Sequence, residues 1–454
     1  MKFKTQFTVL AACMAVAASG HAAVSAQEAA KLNGALTPWG AEKGANKDGT
    51  IPAHGERIKP PSNWDPKKPG TRPDPFASEK PLYSIDAKNM DKYADKLSEG
   101  VKAMLVKHPT FRIDVYPTHR TMQYPKWYQD NAIKNATACK TSADGLKLEG
   151  CYGGTPFPIP KNGIEVMWNH SLAFLAPKGM EGTFTAWYVP PSGKAVLQGE
   201  NPAVFETPFF DEDQKGPNAS DTPIYRFRMD TTAPARKAGE RLVQSIGADG
   251  KESLWQYLPG QRRVKLSPDL SYDTPNPQSG GASTMDEVRV FQGALDRYDF
   301  KLVGKKEMIM PYNVFKMNDQ KSCPIDALLQ PAHYNSNCMR WELHRTWVVE
   351  AEVKPGKRHI YPKRTFYFDE DIPNVGMGDN YDASGKLYRT TISFPIPFYE
   401  VEGMNPLLFG TFDLSNGAYL VCCFGGSTGG LNPSAKKVSP TYFTPDALAN
   451  SGIR

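Results

Sequence analysis

The chain has little net charge, and this bears on the partners it can have. Its 54 Lys and Arg residues stand against 48 Asp and Glu residues. Without the two lysines of the N-terminal leader described below, 52 basic residues face 48 acidic ones, a net charge of +4. Proteins that bind nucleic acid usually present a concentrated basic field. The composition therefore argues against a nucleic-acid partner.

The sequence also has few of the motifs that bind metals or nucleotides. It contains no C-x-x-C pair, and its 8 histidines are scattered. The acidic run Asp369-Glu370-Asp371 lacks the alternating oxygen ligands of a calcium loop, and we interpret it as a solvated strand end. The glycine-rich run 425–430 lacks the lysine of a phosphate loop, and we interpret it as a flexible turn. We expect no metal and no cofactor.

Catalytic groupings are equally scarce. A hydrolase needs a nucleophile beside a base. Ser279 and Ser427 lie in glycine-rich loops, but nothing in the pattern brings either of them to a histidine. His170 follows an apolar stretch and is expected to be a packed polar residue, whereas His344 and His359 are expected near strand ends. We predict no catalytic residue.

Beyond the N-terminus, no apolar run is long enough to span a membrane. At the N-terminus, two lysines precede the apolar residues 7–20, and the small residues Val24-Ser25-Ala26 precede Gln27. This is the pattern of a cleaved bacterial secretory signal peptide. We therefore predict that residues 1–26 are a signal peptide and that the mature protein is periplasmic. Cys13 is interpreted as an ordinary apolar-region residue, not a lipidation site.

Six cysteines remain after the leader, and an even count in an exported chain favours disulfides. The simplest of the 15 pairings that six cysteines allow is local. It joins Cys139 to Cys151 and Cys323 to Cys338. A bond between the adjacent residues 422 and 423 would close a strained ring, so these two cysteines are expected to stay reduced or to pair elsewhere.

Residues 27–83 are rich in proline and have little periodicity, which predicts an extended arm. Apolar residues at helical spacing then predict three helices, over Asp86–Lys107, Lys126–Ala136 and Gly163–Phe174. From about Phe184 onward, apolar and polar residues alternate with period two.

The alternating runs are separated by short turns, which favours antiparallel pairing. The predicted fold class is α+β, mainly β: a large curved antiparallel sheet with one apolar face and a few covering helices. We predict one domain over residues 84–424 and a Gly/Pro-rich C-terminal tail over 425–454.

An aromatic stripe follows the predicted strands, and two interpretations of it stay open. The rings are either core or the lining of an apolar pocket, because one sheet with few helices offers little cover. The candidate pocket residues are Trp187, Phe227, Trp255, Tyr257, Phe300, Trp347, Phe366 and Phe368.

Four arginines in neighbouring predicted strands also have two interpretations. These are Arg226, Arg228, Arg262 and Arg263. They form either a solvated outer face with cross-strand acidic partners such as Asp230, or a basic rim that meets an anionic head group or membrane surface.

Long blocks of the sequence resemble one bacterial family. They include LTPWGAEKGANKDGTIPA (36–53), GGTPFPIPKNGIEVMWNH (153–170), FRMDTTAPARKAGE (227–240) and ELHRTWVVEAEVKPGKRHIYPKRTFYFDED (342–371). Together they resemble the domain-of-unknown-function family thirteen twenty-nine, whose members are often labelled outer-membrane lipoprotein-sorting protein. The resemblance covers nearly the whole chain after the leader.

A broader resemblance implies a fold. The order W-x-Y-x-P, a basic pair, a Gly/Ser-rich segment, Y-D-F-K-L and K-R-T-F-Y-F is similar to LolA/LolB-type periplasmic carriers. Those are curved, incomplete antiparallel barrels whose apolar concave face, lidded by helices, holds acyl chains. The resemblance therefore implies a LolA/LolB-like half-barrel.

These observations lead to a functional hypothesis. The protein is expected to bind a lipid or other hydrophobic molecule and pass it toward the outer membrane, with inner- or outer-membrane export proteins as candidate partners and no catalysis. Two alternatives stay open: a periplasmic enzyme acting on a lipid-like substrate, and a scaffold for an outer-membrane export complex.

Overall fold

A computed structural model describes residues 24–68, 70–172, 174–267, 272–433 and 436–450. Residues 1–23 of the predicted signal peptide lie outside these ranges, so that prediction is not tested. The described α-helices are α1 (Ala26–Ala29), α2 (Glu99–Lys107), α3 (Lys126–Ala138), α4 (Gly163–Ser171), α5 (Ile325–Leu328) and α6 (Pro445–Asn450). Short 3₁₀ helices include Met90–Lys96 and Pro440–Phe443.

The strands outnumber the helices. They are β1 (Tyr83–Ile85), β2 (Ile113–Val115), β3 (Lys140–Thr141), β4 (Leu148–Glu149), β5 (Met180–Val189), β6 (Val196–Glu206), β7 (Pro223–Asp230), β8 (Arg241–Gly247), β9 (Glu252–Leu258), β10 (Arg263–Leu266), β11 (Tyr298–Pro311), β12 (Trp341–Val353), β13 (Lys363–Asp369), β14 (Gly376–Tyr381), β15 (Leu387–Ser393), β16 (Ile396–Pro397), β17 (Met404–Asn405), β18 (Phe409–Asp413), β19 (Tyr419–Phe424) and β20 (Leu431–Asn432).

Most of these strands form one sheet. From β11 it runs through β12, β13, β14, β15, β18, β19 and β5 to β6, β7, β8, β9 and β10, and each of these pairs is antiparallel. β20 pairs with β5, and a single parallel bridge joins β2 to β12. The predicted α+β fold class, with one large antiparallel sheet, is confirmed.

The first predicted helix is broken in two. The pattern predicted continuous helix over Asp86–Lys107, but a 3₁₀ helix ends at Lys96 and α2 begins at Glu99. Ser98 caps α2 by accepting a hydrogen bond from the backbone N–H of Val101 at 3.2 Å. A serine in this role favours extended backbone before the helix, which ends the preceding turn.

The two faces of the sheet are covered differently. On the face that we call inner, α4 and residues 284–295 lie over β11–β15; there the His170 ring of α4 stacks on Phe368 with centroids 4.1 Å apart. On the opposite, outer face, the chain from Pro440 to Asn450 packs on β7–β10. Phe443 and Leu448 of this segment are buried with Val243 and Tyr257.

Residues 27–83 lie against the body of the protein through hydrogen bonds and ion pairs. Arg120, next to β2, donates to the backbone oxygen of Glu42 at 2.7 Å. Further along, Arg72 pairs with Glu400 at 2.9 Å. In the predicted C-terminal tail, β20 joins the sheet. The division into arm, domain and tail stays a prediction.

Both predicted local disulfides are present. Cys139 is bonded to Cys151 just after α3, and Cys323 is bonded to Cys338 in the insertion between β11 and β12. Within the described ranges, no helix has the length and apolar character needed to cross a membrane.

Candidate hydrophobic ligand site

An apolar cavity opens on the inner face of β5–β9, beside residues 284–292. We call it the concave pocket. It contains about 750 Å³ of atom-free space, part of it open to solvent. Its lining residues are Phe184, Phe205, Tyr225, Phe227, Met229, Leu242, Gln244, Leu254, Gln256, Asn276, Pro277, Met285, Val288, Arg289, Gln292, Leu407, Cys422 and Cys423. A mainly apolar lining with a few polar groups is typical of small-molecule sites.

Register explains how the aromatic wall forms. Phe205 on β6 pairs with Phe227 on β7, and Phe227 pairs with Gln244 on β8, so these side chains point to one face. The rings of Phe205 and Phe227 stack with centroids 4.7 Å apart, and Tyr225 lies 6.2 Å from Phe227. Phe227, one of the candidate pocket residues, lies in this wall, and its role in ligand binding stays a prediction.

Two predicted pocket residues lie on the wrong face. Trp255 and Tyr257 alternate along β9 with Leu254 and Gln256, and it is the latter two that line the concave pocket. Trp255 and Tyr257 instead pack on the outer face with Phe443. The prediction that they share a pocket with Phe227 is wrong, because a strand turns successive side chains to opposite faces.

The other predicted aromatics are packed against the core. Phe366 and Phe368 are fully buried and lie 5.6 Å apart, beneath α4 and Phe291. Phe300 contacts Phe291 at 6.1 Å. Here the inner face is filled by side chains, so the core interpretation holds for these rings.

Two further rings also lie outside the concave pocket. Trp347 is partly buried under the ammonium of Lys305, 4.7 Å from its ring. Trp187 is partly buried and donates from Nε1 to the hydroxyl of Thr185 at 3.0 Å.

The predicted arginine rim does not form around this pocket. Arg226 and Arg228 point to the outer face, where Arg226 pairs with Glu206 at 2.8 Å and Arg228 with Asp230 at 3.2 Å. The interpretation with acidic partners holds for these two residues. The remaining two arginines are exposed: Arg262 lies in the turn between β9 and β10, and Arg263 is the first residue of β10.

A segment that the sequence analysis did not single out supplies the polar side of the pocket. Residues 284–292, the anchored segment, are fixed to the sheet by two buried carboxylates. Asp286 pairs with Arg364 of β13 at 2.7 Å, and Glu287 accepts from the amide of Asn380 on β14 at 3.0 Å. These contacts bring Arg289 to the edge of the concave pocket.

Arg289 is the one charged side chain in the described lining of the pocket, and it is 2 % exposed. Its Nε donates to Gln292 at 3.3 Å, and its guanidinium lies 5.1 Å from the Tyr225 ring. Burial lowers the pKa of Arg289 and raises that of Tyr225. Sequence reasoning missed Arg289, because its segment has no helix or strand period; an arginine inside the apolar-flanked run VRVFQ was the available signal.

Cys422 and Cys423 are free thiols in the pocket wall, with their Sγ atoms 3.7 Å apart. They are reduced here, in line with one of the two expectations for them. The hydrogen bond from Cys422 and the burial of the site hold the pKa of Cys423 well above its ordinary value. Both residues therefore act as small apolar groups in this wall.

The acidic run after β13 is not a solvated strand end. Asp369, Glu370 and Asp371 are at most 3 % exposed, because Arg120 pairs with Asp371 at 2.7 Å and with Glu370 at 3.2 Å. His344 and the aspartates 369 and 371 lie close enough together to share a cation. Arg120 pairs with Asp371, and His344 lies 3.5 Å from Asp369, so we interpret the cluster as a structural ionic network.

His170 is a fully buried polar residue, as expected from the apolar stretch that precedes it. The ring of His170 meets the backbone oxygens of Phe291 and Pro373 at 3.0 and 3.2 Å. Burial lowers its pKa to about 3, so it is uncharged at neutral pH. Residues 425–429 do match the letters G-x-S-x-G around Ser427, but the strand there is followed by a turn and not by the helix of a nucleophile elbow.

The family model described as "Protein of unknown function (DUF1329)" matches residues 84–449. The chain belongs to this family. A Pseudomonas aeruginosa relative, described as uncharacterized protein PA3922, is 38% identical over 445 residues, which is 95% of each chain. The resemblance stated from the sequence blocks is therefore confirmed.

Solved structures also resemble this chain at low identity. A DUF1329 family protein from Desulfovibrio piger has a TM-score of 0.39 at 16% identity, covering 60% of this chain and 92% of its own. A putative outer membrane lipoprotein-sorting protein domain from Vibrio parahaemolyticus has 0.42 at 12%, covering 63% and 98%. A LolA superfamily protein from Nitrosomonas europaea has 0.36 at 11%, covering 63% and 100%.

Proposed function

We propose that this protein is a periplasmic carrier that binds a lipid or other hydrophobic molecule and passes it toward the outer membrane. The observation that supports this most strongly is the concave pocket, an aromatic-walled cavity left open on the inner face of the sheet. The proposed mechanism is physical. Each CH₂ group that leaves water for the pocket contributes roughly 0.8 kcal/mol.

The periplasmic location is supported by the sequence pattern of the leader. A charged start, an apolar stretch and small residues before Gln27 favour export and cleavage. We expect the exported protein to begin at or near Gln27, and N-terminal sequencing checks this. An N-terminus at an acylated Cys13 would contradict it.

The pocket is tested by two matched substitutions on opposite faces of the same sheet. Phe227 and Trp255 are both half-buried aromatic residues on neighbouring regions of the sheet, and Phe227 alone of the two lines the concave pocket. Phe227→Ser removes pocket wall, so binding of a fluorescent fatty-acid probe should weaken roughly tenfold or more. Trp255→Ser should leave probe binding unchanged while lowering the melting temperature.

The measurement is a probe titration of delipidated protein next to a thermal melt of each variant. Equal probe binding by folded Phe227→Ser and by the unsubstituted protein would remove this cavity as the ligand site. Absence of saturable binding across several lipid classes would count against a carrier and favour the scaffold hypothesis.

A further inference from the structure

The guanidinium of Arg289 carries a buried positive charge that no described acidic group neutralises directly. Its Nη1 atom is buried and has no hydrogen-bond partner in the described structure. The groups that interact with it electrostatically include the Tyr225 hydroxyl, the Cys423 thiol and the uncharged ring of His170, and none of these is a carboxylate. An unpaired buried charge is costly, and proteins that keep one usually provide it with a partner.

Two groups near Arg289 could be that partner, and neither serves. The Cys423 thiol stays protonated, since its pKa is held well above its ordinary value by the contact with Cys422 and by burial. Glu252 is linked to Arg289 only indirectly, because the neutral side-chain amides of Gln292 and Gln244 lie between them. Gln292 donates to Gln244 at 3.1 Å, and Gln244 donates to Glu252. This chain of amides orients the Nε side of Arg289 and leaves Nη1 unused.

The backbone that holds Arg289 is strained at this point. Arg289 has φ 55° and Val290 has φ 76°, a left-handed conformation that is uncommon for an arginine and a clear outlier for a β-branched valine. The anchored segment imposes this conformation through Asp286 and Glu287, and Arg364 also donates to the Val290 backbone oxygen at 3.3 Å. Such strain is typical of ligand-binding positions.

We propose that the concave pocket takes a single-chain amphiphile with one carboxylate, and that this carboxylate pairs with Arg289 at Nη1 while the chain lies along the wall of Phe205, Phe227 and Leu254. This inference rests on the carrier function proposed above and adds the chemical class of the ligand. A monoanion matches the site, because Arg289 is the one cation in its described lining. A phosphate dianion would normally call for a second cation.

The first test varies the ligand and leaves the protein intact. Dodecanoate, dodecanol and dodecyl phosphate share one alkyl chain and differ in the head group. Delipidated, unsubstituted protein should bind dodecanoate roughly 10- to 100-fold more tightly than dodecanol, the factor typical of a hydrogen-bonded contact to a charged group. Dodecyl phosphate should bind no more tightly than dodecanoate. Competition with a fluorescent fatty-acid probe measures all three.

The second test varies the protein. Arg289→Met should lose most of the preference for dodecanoate over dodecanol while it keeps dodecanol binding. Arg289→Lys, which keeps the charge, should retain part of the preference. Arg263→Met is the matched control: it removes an exposed arginine from the start of β10 and should leave the preference intact.

The outcomes separate this inference from the carrier function. Equal binding of dodecanoate and dodecanol by the unsubstituted protein would overturn the carboxylate assignment and leave the carrier intact. Tighter binding of dodecyl phosphate would overturn it in favour of a phosphate head group. If no alkyl ligand binds, the carrier function fails as well. If Arg289→Met does not fold, the three-ligand comparison on the unsubstituted protein still decides.

Discussion

Buried charged side chains in this molecule differ in their surroundings, and two neighbouring aspartates show how. Asp371 has Arg120 at 2.7 Å, and this contact outweighs the effect of burial and lowers its pKa. Asp369, two residues away, is just as buried but has no arginine partner, and its Oδ2 atom accepts no hydrogen bond. Burial raises the pKa of Asp369 to about 7. The pKa values of these two neighbouring carboxyl groups are therefore shifted in opposite directions.

This difference predicts a pH-dependent effect of Asp369→Asn. The unfolded chain releases the Asp369 proton near pH 4, whereas the folded state holds it to about pH 7. The folded state therefore binds the extra proton between these values, and Asp369 lowers stability as pH rises through that window. The stability of Asp369→Asn relative to the unsubstituted protein should rise by roughly 1–3 kcal/mol from pH 4.5 to pH 8.

Urea unfolding at several pH values measures this difference. Asp299→Asn, an exposed substitution on β11, controls for the amide itself. A constant stability difference between Asp369→Asn and the unsubstituted protein across the window would show that Asp369 is ionised in the folded state throughout.

At the scale of elements, sequence patterns predicted where the strands lie better than they predicted which face of the sheet each side chain points to. The alternation over Trp255 and Tyr257 correctly placed both rings on one side of a strand. It could not say which side, because Leu254 and Gln256 fit an apolar pocket equally well and the outer face acquires its cover, Phe443, from residues almost 190 positions away. Assigning the larger rings to the pocket was therefore wrong.

The second kind of feature that the sequence could not predict is the position of residues outside regular helices and strands. Arg289 could not be predicted as a site residue, since its place is set by the distant partners of Asp286 and Glu287 on β13 and β14. The acidic run 369–371 was misread for the same reason, because the partner that buries it, Arg120, lies outside its strand. Local features were predicted better: an even cysteine count in a chain expected to be exported, with the choice of local pairs, correctly indicated both disulfides.

The disulfide between Cys323 and Cys338 allows a prediction about the insertion that it closes. The two residues are 15 positions apart. Within this loop, Tyr334 packs edge-on against Phe412 and Tyr419 of the sheet. Replacing both cysteines by serine should lower the free energy of unfolding by about 3 kcal/mol, the chain-entropy value for a loop of this length. Denaturant unfolding without reductant measures the loss.

Reductant provides the control for that experiment. It should destabilise the unsubstituted protein more than the double variant, which retains only the bond between Cys139 and Cys151. Peptide mapping without reduction should recover the 323–338 bond from exported protein. Free thiols at both positions would contradict the prediction.

At the scale of the whole molecule, the N-terminal part of the chain is held to the body by a few buried ion pairs. Arg72 makes a two-pronged contact with Glu400, Nε to Oε2 at 2.9 Å and Nη2 to Oε1 at 3.0 Å. Glu400 Oε1 also accepts from the backbone N–H of Gly70 at 3.0 Å, and Arg72 donates to the Leu431 backbone oxygen. One carboxylate thus joins the arm region to β20 and to the segment between β16 and β17, and none of these residues lines the concave pocket.

Glu400→Gln should therefore release residues 60–76 locally without affecting ligand binding. The amide keeps the shape of the side chain but removes the charge, and it leaves the buried guanidinium of Arg72 without an anion. Losing one partner of a buried pair typically costs 3–5 kcal/mol, so amide hydrogen exchange in residues 60–76 should quicken by at least about tenfold.

Glu402→Gln is the matched control. It is the same substitution two residues along, at a position that contacts no described cation, and it should leave exchange unchanged. Fatty-acid probe binding should be equal in both variants. Weaker binding in Glu400→Gln alone would show instead that the arm contributes to closing the concave pocket.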